Sequence, residues 1–192
     1  KSLDSLVKQN LIFMKIVVPV SMKADIEKEG LLQDNLFFED SNSKEELFTT
    51  ALNNAKTPYI TFCDAEITYA VGSFRLAYRQ LIKQQYDFIS EGIYHKEYDD
   101  SQPLLFSKIA STSLKNGLKY NSSLFMDATL ANKFFCVNFV RSLHLDFSEE
   151  LPELIKLCYT KGNYAYRLYG LLIYNNKKET FIDYIATDKT LS

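Results

Sequence analysis

Apolar residues in the first hundred positions alternate between helical spacing and short continuous runs. Leucine and valine at helical spacing predict a helix over residues 1–9, and the β-branched run at 16–20 predicts a buried strand. A short charged segment at 24–32 is followed by a second predicted strand at 35–39. This alternation is typical of an α/β fold with a mostly parallel central sheet flanked by helices.

The next segment carries the clearest helix signal of the chain. Ser43 is followed three residues later by Glu46, which is the spacing of a capping box, and an apolar stripe continues to residue 55. Thr57 and Pro58 end this helix. Residues 59–63 (YITFC) then predict a strand, a further helix opens at Gly72, and residues 87–94 predict another strand.

Two acidic residues, Asp64 and Glu66, follow the YITFC run directly. Open α/β sheets bind ligands in the crevice outside the carboxyl ends of their strands. Two carboxylates separated by one residue can both reach a hard divalent cation, which prefers oxygen ligands. Exposed acids after a strand are also common without any function, and the tripeptide alone leaves both interpretations open.

The second half has a different pattern. Helices are predicted at 104–118 and 151–159, an aromatic segment of mixed character lies at 123–139, and residues 164–173 predict a tyrosine-rich strand. The basic and aromatic stretch at 161–167, with Tyr164, Tyr166 and the nearby Tyr169, fits either a half-buried strand or a platform for a carbohydrate or phosphate polymer. Lys133 and Arg141 flank an apolar segment, where they would contact an anionic acceptor or lie on the surface. Without repeats or a flexible linker, the 192 residues are expected to form one domain.

Composition narrows the classes of function. Hydrophobic residues make up 46% of the chain and charged residues 24%, with a net charge of −2, which is typical of a globular protein and disfavours a broadly basic nucleic-acid surface. No apolar run approaches the length of a membrane span, and we expect a cytoplasmic protein. Three separated cysteines and two histidines favour buried free thiols over disulfides, zinc sites or a histidine-activated nucleophile.

Several segments together resemble family 2 glycosyltransferases. TALNNAKTPYITFCDAE is similar to the family segment A-R-N-x-G-x-x-x-A-x-G-x-Y-I-x-F-L-D-x-D-D. KSLDSLVKQNLIFMKIVVPV resembles the family's first helix and second strand. LANKFFCVNFVRSLHLDFSEELPELIKLCY resembles the region that carries N-K-L-F-R-R-x-F-L and a later E-D dipeptide, and NYAYRLYGLLIY resembles the strand that often follows. The resemblance lies in the order of motifs over nearly the whole chain.

This resemblance implies a glycosyltransferase A-like α/β sandwich, with a nucleotide-binding half at 1–100 and an acceptor half at 101–192. Asp64 and Glu66 would hold a divalent metal, Mn or Mg, against the diphosphate of a nucleotide diphosphate sugar. Glu150 stands in the place of the aspartate that deprotonates the acceptor hydroxyl. Acids at Glu149, Glu150 and Glu153 would equally serve as first-turn residues favoured by the helix dipole.

The chain also departs from the family pattern. It begins at the helix that follows the family's first strand, and Val18-Pro19-Val20-Ser21 stands where V-D-D-G-S is usual. The glycines of the central segment are missing. Two interpretations fit: a truncated segment of a larger enzyme, or a degenerate domain that kept the fold and lost the reaction.

Two functions therefore stand side by side. The first is transfer of a sugar from a nucleotide diphosphate sugar to a hydroxyl of a cell-envelope polymer or glycan, at the inner face of the membrane if the protein associates with it. The second is an inactive glycosyltransferase-like module that binds or scaffolds an adjoining domain or partner of a larger cell-envelope biosynthesis protein. Neither involves nucleic acid.

Overall fold

The computed structural model describes residues 1–9, 11, 13–65, 67–95, 129–148 and 151–174. Short helices and strands alternate along this part of the chain. In chain order they are α1 (Ser2–Val7), β1 (Ile16–Pro19), a 3-10 turn (Val20–Met22), α2 (Lys23–Lys28), β2 (Leu36–Glu39), α3 (Lys44–Asn54), β3 (Tyr59–Ile60), β4 (Ile67–Tyr69), α4 (Ser73–Gln84), β5 (Phe88–His95), β6 (Lys133–Cys136), α5 (Val137–Leu143), α6 (Leu151–Lys161) and β7 (Tyr164–Tyr174).

The described strands form two sheets. β1 and β2 pair in parallel, and the second sheet has the strand order β3-β6-β5-β7-β4. In the second sheet β5 and β7 are parallel, while β3 with β6, β6 with β5, and β4 with β7 are antiparallel. The α/β class is confirmed, but the described pairs are mixed in direction rather than mostly parallel. Two of the antiparallel strands, β4 and β6, lie in segments where the pattern of apolar residues did not predict a strand.

The five-stranded sheet is covered on both faces. Adjacent residues on β5, β6 and β7 point to opposite sides, as the pleat of a strand requires. Ile89, Phe134 and Ala165 pack toward α1, α2, α4 and the β1–β2 pair. Their neighbours Phe88, Phe135 and Tyr164 pack toward α3, α5 and α6. The result is an α/β sandwich in which residues from before and after position 100 share one sheet.

Aromatic rings fill the core on the α5–α6 side. Phe88 lies 5.4 Å from Phe135 and 5.1 Å from Tyr164, measured between ring centroids. Gly162, which follows α6, is packed against this cluster: a Cβ built on it would lie 2.7 Å from the Phe139 ring and 2.9 Å from the Phe88 ring. Close approach, rather than backbone conformation, therefore requires glycine here.

Several predicted boundaries differ from the observed ones. The predicted strand at 59–63 is paired only at Tyr59–Ile60, and residues 61–64 continue without ladder pairing. Within this segment Phe62 is buried, and the other four residues are half-buried. The predicted helix at 104–118 lies outside the described residues. In the described part of the chain, no helix combines the length and the apolar character needed to cross a bilayer.

Candidate functional site

Asp64 lies at the carboxyl end of the extended segment that begins with β3. Its main-chain carbonyl accepts hydrogen bonds from the Ser2 hydroxyl at 2.8 Å and from the Ile67 amide at 3.3 Å. Its side chain is 34% exposed. The backbone around Asp64 is thus fixed from both sides, while the carboxylate still reaches solvent at the edge where α/β sheets bind ligands.

A lysine accompanies this carboxylate. Lys44 is the first residue of α3, and its Nζ lies 3.2 Å from Oδ2 of Asp64. The predicted capping box fixes the start of this helix, since the Ser43 hydroxyl accepts a hydrogen bond from the Glu46 amide at 3.1 Å. Glu46 in turn accepts a hydrogen bond from the Asn42 amide at 2.7 Å. An ion pair therefore joins the start of α3 to the end of the β3 segment.

The Lys44–Asp64 pair is easy to open. The lysine side chain is 55% exposed, and ion pairs in such surroundings contribute roughly 0–1 kcal/mol because water screens them. A ligand that offers Lys44 a stronger anion, or Asp64 a stronger cation, can replace the pair at little cost. Sequence reasoning missed Lys44, although the capping box that places it at the helix start was recognised.

The groups behind Asp64 are neutral. Burial raises the pKa of the Cys63 thiol to about 12, and burial also raises the pKa of the Tyr69 hydroxyl well above its ordinary value. The Tyr69 hydroxyl donates a hydrogen bond to the Ala131 carbonyl at 2.9 Å. At neutral pH neither Cys63 nor Tyr69 is ionised, so neither offers a charged nucleophile or base beside Asp64.

The other two predicted site residues, Glu66 and Glu150, lie outside the described residues. The structure describes the chain on both sides of each of them. Ile67 begins β4 directly after Glu66, and Leu151 begins α6 directly after Glu150. The distances that would join these carboxylates to Asp64 stay predictions.

For Lys133 the sequence left two alternatives open, contact with an anionic acceptor or a position on the surface, and the structure shows neither. It is fully buried, and its Nζ donates hydrogen bonds to the Thr129 carbonyl and, at 2.9 Å, to Oδ1 of Asn132. The same Nζ lies 5.5 Å from the ring centroid of Tyr159. Lys133 is therefore a structural cation inside the sandwich, because a buried ammonium needs several partners.

Arg141 caps a helix. Its Nη2 donates to three main-chain carbonyls at the end of α3: Leu52 at 2.8 Å, Asn53 at 3.1 Å and Ala55 at 2.9 Å. The Leu52 carbonyl also accepts a hydrogen bond from the Ala55 amide at 3.3 Å. The three carbonyls lie at the negative end of the helix dipole, so a guanidinium is well suited to them. The structure thus assigns Arg141 to the junction between α3 and α5 rather than to an anionic acceptor.

The segment after β1 has no acidic residue at the place where the family that the sequence resembles has one. β1 ends at Pro19, and the 3-10 turn Val20–Met22 leads into α2. Val20 and Met22 are 45% and 41% exposed. This turn exposes apolar side chains. A nucleotide base bound beside it would therefore be held by van der Waals contact rather than by a hydrogen bond to a carboxylate.

Asp64 fits one role in a divalent metal site. Mg²⁺ is usually held by one or two carboxylates together with substrate phosphates, and Asp64 would supply one such oxygen ligand if Lys44 moved aside. Within the described ranges, no group of three or more histidine, cysteine, aspartate or glutamate residues is arranged to hold a metal.

No protein-family model matches this chain, and no curated protein matches it. Solved structures do match. The chain superimposes on S. aureus TarS 1-349 in complex with UDP-GlcNAc with a TM-score of 0.74 and 14% identity, over 94% of this chain and 55% of that one. The same protein without that ligand gives a TM-score of 0.72 with 15% identity, over 91% and 55%. The complex of TarS 1-349 with UDP gives 0.70 with 14% identity, over 90% and 54%.

These similarities concern the fold, because the identities are low. The chain spans about half the length of the TarS 1-349 chains that it matches. The two-sided sandwich and the superposition agree with the α/β fold predicted from the motifs, although the described strand pairs are mixed in direction. The chain has a glycosyltransferase-like α/β fold.

Proposed function

We propose that this chain is a glycosyltransferase domain that binds a nucleotide diphosphate sugar at Asp64 and transfers the sugar to a hydroxyl of a cell-envelope polymer or glycan. One observation carries the proposal. A solvent-accessible aspartate stands at the carboxyl edge of a sheet whose fold matches that of TarS, a protein solved with UDP-GlcNAc and with UDP. We infer a uridine nucleotide from those two complexes.

Charge at the site supports diphosphate binding. Asp64 and Glu66 would hold Mn²⁺ or Mg²⁺ against the two phosphates, and such a metal neutralises charge on a leaving diphosphate. Lys44 can leave Asp64 and turn to a phosphate oxygen, which keeps a positive charge beside the diphosphate. The α3 amino terminus lies next to Lys44 and adds its partial positive charge. The site thus carries cations suited to a phosphate group.

Glu150 is the proposed general base. In the reaction the acceptor oxygen attacks the anomeric carbon of the sugar, and a glycosidic bond forms. The bond between that carbon and the diphosphate oxygen breaks, so the nucleotide diphosphate leaves with the electron pair. The proton of the acceptor hydroxyl passes to the Glu150 carboxylate. A base must lie within hydrogen-bonding distance of the attacking oxygen, directly or through one water.

Calorimetric titration tests the proposal. We expect UDP-GlcNAc with Mn²⁺ to bind, and Asp64→Asn to weaken binding by about tenfold, the effect of losing roughly 1.4 kcal/mol. Asp4→Asn is the matched control, because Asp4 forms a similar exposed pair with Lys8 on α1. Absence of binding by uridine, guanosine and cytidine diphosphate sugars at millimolar concentrations would contradict the proposal.

Two observations favour an inactive module as the second candidate. Lys44 already neutralises the Asp64 carboxylate. The turn after β1 also presents apolar side chains at the place where the family that the sequence resembles has an acid that holds the nucleotide base. In that case Asp64→Ala would leave the protein's role intact. A folded protein in which Asp64→Ala abolishes turnover would exclude the inactive module.

A further inference from the structure

The first helix buries polar residues as well as part of its apolar stripe. Ser2, Ser5 and Gln9 are 9%, 6% and 2% exposed, and their spacing places them on one side of α1 and its end. The leucines and the valine that the sequence predicted for the buried face do pack on the core, where Leu6 is buried and the others are partly buried. Buried polar side chains are normally hydrogen-bonded, so the partners of these three show what α1 does.

The two serines bind the segment that follows β3. The Ser2 hydroxyl donates to the Asp64 carbonyl at 2.8 Å. The Ser5 hydroxyl accepts a hydrogen bond from the Tyr69 amide at 2.9 Å and donates to the Ser2 carbonyl at 2.6 Å. β4 is the last strand in the order of its sheet, so its outer main-chain groups need partners from elsewhere. α1 supplies them.

Gln9 extends the same contact to the start of α4. Its Nε2 donates to the carbonyls of Tyr69 at 3.3 Å and Ala70 at 3.0 Å. Its Oε1 accepts hydrogen bonds from the Ser73 hydroxyl at 3.3 Å and the Phe74 amide at 3.4 Å. α4 begins after Gly72, which has no side chain to cap the helix, so Gln9 satisfies an amide that would otherwise lack a partner.

We propose that Ser2, Ser5 and Gln9 are positioning residues for the nucleotide-sugar site. They join Asp64 to the end of β4 and the start of α4, and Ser2 fixes the main chain of Asp64 itself. Ser2 acts through Asp64 and does not touch the substrate. This inference rests on the proposed function of Asp64. It assigns to α1 a role in ligand affinity in addition to its role in folding.

The decisive variant is Ser2→Ala, which removes the hydroxyl that reaches Asp64. We expect it to weaken UDP-GlcNAc binding about three- to tenfold, the range for one lost hydrogen bond of roughly 1 kcal/mol. Ser2→Thr keeps the hydroxyl and should restore binding. Ser142→Ala is the matched control, because its hydroxyl also donates to a main-chain carbonyl, that of Phe139 at 2.7 Å, on an exposed part of α5. Ser142→Ala should leave the Kd unchanged.

A double-mutant cycle separates positioning from general stability. If Ser2 acts through Asp64, the Ser2→Ala effect on the Kd disappears in the Asp64→Asn background. An equal effect in both backgrounds would overturn the inference. So would a Ser2→Ala protein that binds UDP-GlcNAc as tightly as the wild type, and that result would leave the proposed function standing. A wild-type protein that binds no nucleotide sugar would overturn both.

Gln9→Met provides the second test, since methionine keeps the shape of the side chain but makes none of these hydrogen bonds. We expect faster hydrogen exchange of the Tyr69 and Phe74 amides, together with weaker UDP-GlcNAc binding. If Gln9→Met prevents folding, Ser2→Ala decides the matter alone. Unchanged binding in a folded Gln9→Met protein would contradict the positioning role.

Discussion

Replacing Arg141 by alanine tests the junction between α3 and α5. The guanidinium Nη2 donates to three carbonyls at the end of α3, at 2.8, 3.1 and 2.9 Å. A hydrogen bond from a charged donor contributes about 1.5–3 kcal/mol, and a cation at a helix carboxyl terminus about 0.3–1 kcal/mol. Because Arg141 is exposed, water takes over part of this contribution. We therefore expect Arg141→Ala to lower the free energy of unfolding by about 1–2 kcal/mol.

Urea unfolding measures this change. With a slope of about 2 kcal/mol per molar, the midpoint should fall by roughly 0.5–1 M without a change of slope. Arg79→Ala, at an exposed position on α4, is the control and should shift the midpoint little. Arg141→Lys keeps the charge and should recover part of the loss. An Arg141→Ala protein as stable as Arg79→Ala would refute the capping role. A raised KM for the acceptor without loss of stability would restore the acceptor role.

Three further predictions concern packing, charge and protonation. Gly162→Ala should lower the free energy of unfolding by about 1–3 kcal/mol, because the added methyl group would overlap two phenylalanine rings. An unchanged midpoint of urea unfolding would contradict this close packing. Lys44→Ala should raise the affinity for Mn²⁺ alone by about two- to fivefold, because it removes an ion pair with Asp64 that contributes up to roughly 1 kcal/mol. Lys8→Ala is the control, and weaker Mn²⁺ binding by Lys44→Ala would refute this prediction. The thiol of Cys63 is half-buried and its pKa is raised to about 12, so it should react slowly with alkylating reagents in the folded protein at pH 9. Its contribution to the free energy of unfolding should fall as pH rises from 9 toward 12, because the unfolded thiol ionises first, and rapid alkylation of the folded protein would contradict the raised pKa.

Local signals in the sequence were reliable where they depend on neighbouring residues. The capping box at Ser43 is present in the structure with the expected hydrogen bond. The tyrosine-rich strand is β7, and Tyr164 is buried, which favours the strand interpretation over an exposed platform. The strand predicted at 87–94 is observed as Phe88–His95. In each case residues close in the sequence determine the outcome.

Strand pairing was not predictable in the same way. Phe62 is buried as its apolar run predicts, but the ladder of β3 stops at Ile60. Hydrophobicity reports which side chains leave water, while pairing depends on which distant strand lies alongside. For the same reason the alternation of helices and strands predicted parallel neighbours, and the antiparallel β4 and β6 were missed.

Only some residues of the candidate site could be predicted from the sequence. Asp64 could be located because it follows a buried run, whereas its pairing with Lys44, 20 residues earlier, depends on how α3 packs against the sheet. Ser2, Ser5 and Gln9 show a polar spacing along one side of a helix, which is normally read as a solvent-facing stripe. Their burial follows from the unpaired edge of β4, and that edge is a property of the assembled sheet.

A crystal soaked with UDP-GlcNAc and Mn²⁺ would show whether the nucleotide sugar binds at Asp64. We expect diphosphate density beside the Asp64 carboxylate, a metal bound to that carboxylate, and Lys44 moved from Oδ2 of Asp64 toward a phosphate oxygen. Nucleotide bound elsewhere on the chain, or an undisturbed Lys44–Asp64 pair at 3.2 Å at saturating ligand, would contradict it.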